Sequence, residues 1–162
     1  WLIEKLGNST SPSLAATQTT LETQTAQEEA STPQDYTCEH SSGTTLRGHY
    51  ARITLKECTA VLLENVIADE LIAIESVAEI QNSQFSNHQT SMSVNASVIM
   101  MTGGAVAGTV KLDKARIDFA GVDLLKETPF EISDPSRLVL SVNRAGKTKY
   151  LHGDLHLKNT NY

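Results

Sequence analysis

The sequence predicts an all-β domain, β-solenoid-like or layered, that ends in a β-hairpin. Three observations predict it. The chain closes with two alternating apolar–polar stretches around an Arg144-Ala-Gly-Lys147 turn. Short apolar units recur between residues 55 and 125. Val and Ile crowd the one stretch that also shows a helical period, and β-branched residues favour strands.

The elements follow in chain order. Residues 1–36 read as a flexible, polar, acidic stalk. Asn8 to Gln34 contains two Leu and no Val, Ile or aromatic residue, too little apolar surface to offset the entropy of ordering. The net charge is −6, and Glu4, Glu22, Glu28, Glu29 and Asp35 against Lys5 place most of it in the stalk. The opening Trp-Leu-Ile-Glu-Lys-Leu-Gly has two readings. One is the cut end of a membrane anchor, with Trp1 at the interface and Lys5 just outside. The other is a trimmed start without significance.

Residues 37–162 read as the β-rich domain. With 5% aromatics, its core is expected to be filled by Val, Ile, Leu and Ala. Cys38 and Cys58 are the two cysteines. An even count without CxxC spacing predicts one disulfide clipping the first loop of the domain to its first strand. The alternative is a pair of buried free thiols. Only His40 lies nearby as a further ligand, so zinc is not expected there.

A strand is expected around Tyr50 to Leu55, flanked by Gly43 and Gly48. The stretch 57–85 reads two ways. As a helix near 59–80 it would align Leu63, Ile67, Leu71, Ile74 and Ala78, making the domain α+β. As strands it suits the Val and Ile content and keeps Glu70 off an apolar face. Four units of one form support strands: Leu55-Lys-Glu-Cys58, Leu63-Glu-Asn-Val66, Ile74-Glu-Ser-Val77 and Ile80-Gln-Asn-Ser83. Units of this kind stack from coil to coil in β-solenoids.

Residues 81–90 read as a polar loop or tight corner. Ser91 to Met101 reads as a strand with Met92, Val94, Ala96 and Val98 on one face. Thr102-Gly-Gly-Ala105 reads as a turn. Three five-residue units follow, Val110-Lys-Leu-Asp-Lys, Ala115-Arg-Ile-Asp-Phe and Ala120-Gly-Val-Asp-Leu. They fit a square-coil solenoid with the aliphatic inward and Asp at a corner. The hairpin then pairs Arg137–Asn143 with Thr148–Lys158.

Candidate sites are few. His152, Asp154 and His156 alternate opposite Leu151, Leu155 and Leu157, so they share the outer face of a strand. These residue types ligate zinc and other divalent ions. The first and third lie about 13 Å apart at strand spacing, so one ion takes only a neighbouring pair. The plainer reading is a solvated strand face. Gly103, Gly104 and Gly108 lack the Gly-Lys-Ser/Thr ending of a phosphate loop. No Gly-x-Ser-x-Gly elbow appears, and the acidic residues from Glu64 to Glu79 do not match an EF-hand loop.

No cofactor is expected, and no catalytic residues are expected. A basic footprint is missing, which argues against nucleic acid. No apolar run approaches the roughly 20 residues of a membrane helix. The expectation is a non-enzymatic structural or protein-interaction module of the cell envelope. It would be exported to a periplasmic or extracellular location and tethered near a membrane through its N-terminus. Its partner would be another protein or further copies of itself. The alternatives are a ligand-binding β module, for a lipid, another apolar molecule or a metal, and, more remotely, a hydrolase.

Overall fold

The computed structural model describes residues 32–162, and the expected stalk lies almost wholly outside them. Those residues form a β-solenoid of about six turns. No helix occurs among them. The strands are β1 Gln34–Glu39, β2 Thr45–Lys56, β3 Val61–Ile74, β4 Val77–Gln81, β5 Gln84–Phe85, β6 Thr90–Asn95 and β7 Val98–Thr102. They continue with β8 Ala105–Val106, β9 Thr109–Asp113, β10 Arg116–Ala120, β11 Asp123–Leu124, β12 Phe130–Ile132, β13 Ser136–Ala145, β14 Lys149–Leu157 and β15 Thr160–Asn161.

Each full coil has three sides. β4, β7, β10 and the start of β13 stack in parallel on the first face. β5, β8, β11 and the end of β13 stack on the second, which is short. β6, β9 and β12 build the third, on the ends of β1, β2 and β3. Alternate residues of a strand point to opposite sides, so each face sends columns of side chains into the interior. Leu63, Ile80, Met101, Phe119 and Leu140 form one such column. Ile53, Leu71, Met92, Val110 and Phe130 form another. Phe85, Val106 and Leu124 fill the second face. All of these are essentially inaccessible to water.

The corners explain the recurring units. Leu63-Glu-Asn-Val66 stacks on Ile80-Gln-Asn-Ser83, with the outer two of each unit buried. The third residue, Asn65 or Asn82, takes a left-handed φ of 52° or 47° and turns the chain. Asn tolerates that region better than most residues. Leu55-Lys-Glu-Cys58 turns in the same way at Glu57. It stacks on Ala73-Ile-Glu-Ser76, so the expected unit at Ile74 was read one residue out of frame.

A buried polar side chain finishes the corners. After the left-handed residue, the next amide points along the solenoid axis, where a strand ladder would have supplied a carbonyl. The Cys58, Val66, Ser76 and Ala115 amides donate to the hydroxyls of Ser76, Ser83, Ser97 and Ser136 on the next coil, at 2.9–3.0 Å. The Val122 amide donates to Asn143 Oδ1, and the Gly108 amide to Ser91 Oγ. These acceptors are the buried polar residues of the domain. At Gly104 the backbone itself fills the corner. A Cβ there would lie 2.0 Å from the Ser83 carbonyl oxygen, and φ is +87°, so only glycine fits.

Each end of the solenoid is fastened differently. At the start, the Cys38–Cys58 disulfide ties β1 to the corner after β2, with Cα atoms 6.4 Å apart. Tyr36 packs edge-on against Tyr50 at 6.1 Å. At the finish, β14 folds back antiparallel on β13, and β15 lies antiparallel on β12. The Tyr162 and Phe130 backbones exchange hydrogen bonds. Charged residues along β14 discourage further strands from adding to its edge.

Several expectations are corrected. The helix near 59–80 is replaced by β3 and the start of β4. Its supposed apolar face is divided, because Leu63 and Leu71 point inward while Ile67 and Ile74 are exposed at 41% and 37%. Strand structure begins at Gln34 rather than 37, since β1 pairs with β2 through its backbone whatever its polar side chains prefer. Ser91–Met101 is two strands. The corner at Ala96 resets the alternation, so Ile99 and Met101 point inward in place of Val98. The 81–90 loop contains β5, whose Phe85 is fully buried. All three Phe join the core, with Phe119 and Phe130 in contact at 6.0 Å. The five-residue units do point Leu112, Ile117 and Val122 inward. They lie on successive sides of three-sided coils, with Asp118 in mid-strand and not at a corner.

Candidate functional site

The interior is filled with side chains, so any binding surface lies outside. Two concavities mark it. The larger, of about 450 Å³, lies on the first face near the C-terminal cap. Lys114, Arg116, Arg137, His156 and Lys158 line it, over a floor that includes Ala115, and no carboxylate does.

Strand register creates this groove. Arg116 on β10 lies directly opposite Arg137 on β13, and Arg137 lies directly opposite His156 on β14. Neighbouring strands are about 4.8 Å apart, and like charges directly opposite disfavour the sheet. The carboxylates that offset them sit one step away along each strand or at the corner. Arg137 donates from Nε and Nη2 to Asp154 at 2.9 and 2.6 Å, a two-pronged pair. Arg116 lies 3.8 Å from Asp118, and Lys114 lies 3.9 Å from Asp134. Lys158 has no carboxylate partner among the described residues.

The hydrogen bonds from Arg137 hold the Asp154 carboxyl below its ordinary range against desolvation, and the charges of Arg137, His156 and Arg116 act in the same direction as the hydrogen bonds. The same pair raises Arg137, first through the hydrogen bond and then through the charge of Asp154.

The same strand carries the expected metal set. His152, Asp154 and His156 do share the outer side of β14. Asp154, however, has both oxygens on Arg137, and His156 is 3.8 Å from it. Among the described residues, no group of three His, Cys, Asp or Glu side chains is placed to hold a metal ion. The guanidinium takes one lone pair of each oxygen and places its own positive charge where a cation would have to approach.

The other singled-out residues have structural roles. Glu64 pairs with Arg47 and Glu70 with Arg52 on the coil before, and the pairing raises Arg52. Glu79 accepts from Gln81 at 2.6 Å. Gly104 and Gly108 lie where a neighbouring backbone leaves no space for a Cβ. The buried serines are committed to backbone groups. Cys38 and Cys58 form the disulfide.

The second concavity, of about 340 Å³, lies on the third face. Ile72, Val94 and Leu112 line it with Asn95 and Asp113. Asp113 accepts from Asn95 Nδ2 at 3.0 Å through one oxygen. Its other oxygen, Oδ1, is buried without a partner.

Fold and surface together define a three-sided β-solenoid with a packed interior and an external cation-lined groove. No family model, curated protein or solved structure matches the chain. The residues of the groove were not foreseen as a set. Lys114, Arg116, Arg137 and Lys158 are scattered over the last third of the sequence. Only coil register brings them together.

Proposed function

We propose that this chain is a non-enzymatic interaction module of the cell envelope, whose outer solenoid faces engage a protein partner or further copies of itself. One observation carries the reading. The inward columns are packed with apolar side chains, while the outward columns repeat at strand spacing on a stiff frame. Such a surface suits an extended partner. The Cys38–Cys58 bond fits an oxidising compartment and so an exported location. No helix among the described residues is long and apolar enough to cross a membrane. The residues before Gln34 act in this reading as the stalk that holds the solenoid off a membrane.

The test is sedimentation at several concentrations, with the full chain and a stalk-deleted control, beside capture from an envelope extract. Self-association, or capture lost on reversing outer-face charges without loss of thermal stability, is the expected result. A strict monomer that captures nothing sinks the reading.

The groove beside Asp113 favours a second reading, a ligand-binding β module. Its apolar side chains, set beside Lys111 and Glu131, and the unpartnered Oδ1 fit a mainly apolar molecule carrying one hydrogen-bond donor. A thermal-shift screen of fatty alcohols and fatty amides tests it, since a bound ligand raises apparent stability by mass action. An Asp113→Ala variant that shifts as much as the parent chain overturns it.

A further inference from the structure

We propose that the groove between β10, β13 and β14 is a binding site for a compact oxyanion ligand carrying two phosphate or sulfate groups. The inference goes beyond the interaction reading, because it assigns a small-ligand site that stands whether or not the solenoid faces also engage protein. Three observations converge on it.

The first is the composition of the lining. Five nitrogen-bearing side chains, Lys114, Arg116, Arg137, His156 and Lys158, surround a cavity of about 450 Å³ with no carboxylate among them. They do so in a chain of net charge −6. The volume falls within the range of small-ligand sites.

The second is the arrangement. Arg116, Arg137 and His156 stand side by side across three adjacent strands, and Asp154 and Asp118 offset them only from beside the row, outside the groove lining. Lys114 and Lys158 flank that row from the corner before β10 and the residue after β14. A ladder of this kind places donors at repeated intervals of about 4.8 Å, a spacing that two linked oxyanions can bridge.

The third is preorganisation. Asp154 takes Nε and Nη2 of Arg137 and holds the guanidinium in place, leaving Nη1 as a donor. Arg116 is held only loosely by Asp118 at 3.8 Å, so its planar fork is available for a two-pronged contact with an oxyanion. Arg137 is thus the fixed member of the site, and Arg116 and Lys158 are the members that close on the ligand.

Phosphate or sulfate pairs of this size occur both free and on lipid headgroups, and the probes separate the two sources. Inorganic pyrophosphate is titrated calorimetrically into the full chain, into R116Q/K158Q and into K111Q, whose lysine lies on the third face. The double variant leaves the Arg137–Asp154 pair intact, and its melting curve checks the fold. Saturable binding in the millimolar range or tighter is expected, weakened about tenfold or more in R116Q/K158Q and unchanged in K111Q. Vesicles of phosphatidylcholine with and without phosphatidylinositol 4,5-bisphosphate, whose headgroup carries two adjacent phosphates, form the second arm. Sedimentation with the acidic vesicles alone, lost in R116Q/K158Q, assigns a headgroup as the source. Pyrophosphate binding without vesicle binding assigns a free ligand.

Absence of binding to either probe overturns the proposal. So does equal weakening in K111Q, which would mean charge attraction without a site. Partner capture that persists in R116Q/K158Q, in a chain that binds neither probe, removes this site and leaves the interaction reading standing. Pyrophosphate binding through these residues in a strict monomer that captures nothing does the reverse.

Discussion

The Ser83 hydroxyl accepts the Val66 amide of the preceding coil at 3.0 Å and donates to the Gln81 carbonyl of its own coil at 2.9 Å. One side chain therefore satisfies the amide that the left-handed Asn65 turns out of the ladder. Buried amides without partners cost about 1–3 kcal/mol. Ser83→Ala is expected to lose stability in that range, measured by chemical denaturation. The column through Cys58, Ser76, Ser97, Ala115 and Ser136 lacks a hydroxyl only at Cys58 and Ala115. Ala115→Ser would face the Ser97 amide as Ser97 faces Ser76, and is expected to gain about 0.5–1.5 kcal/mol. A loss in that variant would sink the account of the corners.

Val142 occupies a corner taken in earlier coils by Asn65, Asn82, Gly103 and Gly121, all with positive φ. It holds a φ of 51°, is 64% exposed, and faces His152 across a bulge in the hairpin. A β-branched residue is strained there, by about 1–2 kcal/mol. Little apolar burial is at stake. Val142→Asn is therefore expected to stabilise the domain by roughly 1 kcal/mol. An unchanged or lower melting temperature would mean that the corner does not hold this conformation in solution.

Cys38 and Cys58 are 20 residues apart and close the first coil. A cross-link over a loop of that length is worth about 3 kcal/mol in the chain-entropy model. Reduction, or the double change to Ala, is expected to lower the denaturation midpoint accordingly. The first coil is expected to exchange its amide hydrogens faster than the rest. Uniform exchange across all coils would show that the bond does not act as an end clamp.

Asp154 carries a depressed carboxyl in the folded state because Arg137 bonds to its ionised form. A depressed acid stabilises above its unfolded pKa, and that contribution disappears as pH falls through the folded value. The difference in melting temperature between the parent chain and Asp154→Asn should stay constant from neutrality down to about pH 4 and shrink below it. Both groups are exposed, so raising salt should shrink it as well. A difference that grows on acidification would contradict the pairing.

Much of the local structure was legible from residue order. The β13–β14 hairpin followed from alternation around the turn at Gly146, and the disulfide from the two cysteines. The units at Leu55, Leu63 and Ile80 did mark solenoid corners. The helical alternative near 59–80 arose because Leu63, Ile67, Leu71, Ile74 and Ala78 satisfy a 3.6 period by chance. Pairing with β2 on one side and with β4, β5 and β6 on the other settled that stretch as strand.

By itself the sequence determined which residues extend, which turn and which avoid water, because each of those preferences acts over a few neighbouring residues. Tertiary structure decided what those residues meet. Cross-coil partners lie 17, 18 or 21 residues apart, as inserted corner residues lengthen some coils. No fixed period in the sequence can therefore announce that Arg116, Arg137 and His156 stand in one row. The coil ladder sets that row through backbone hydrogen bonds, which are blind to the side chains they align. The cation-lined groove belongs for that reason to the fold, and the His152–Asp154–His156 strand contributes His156 to its row and Asp154 as the partner of Arg137.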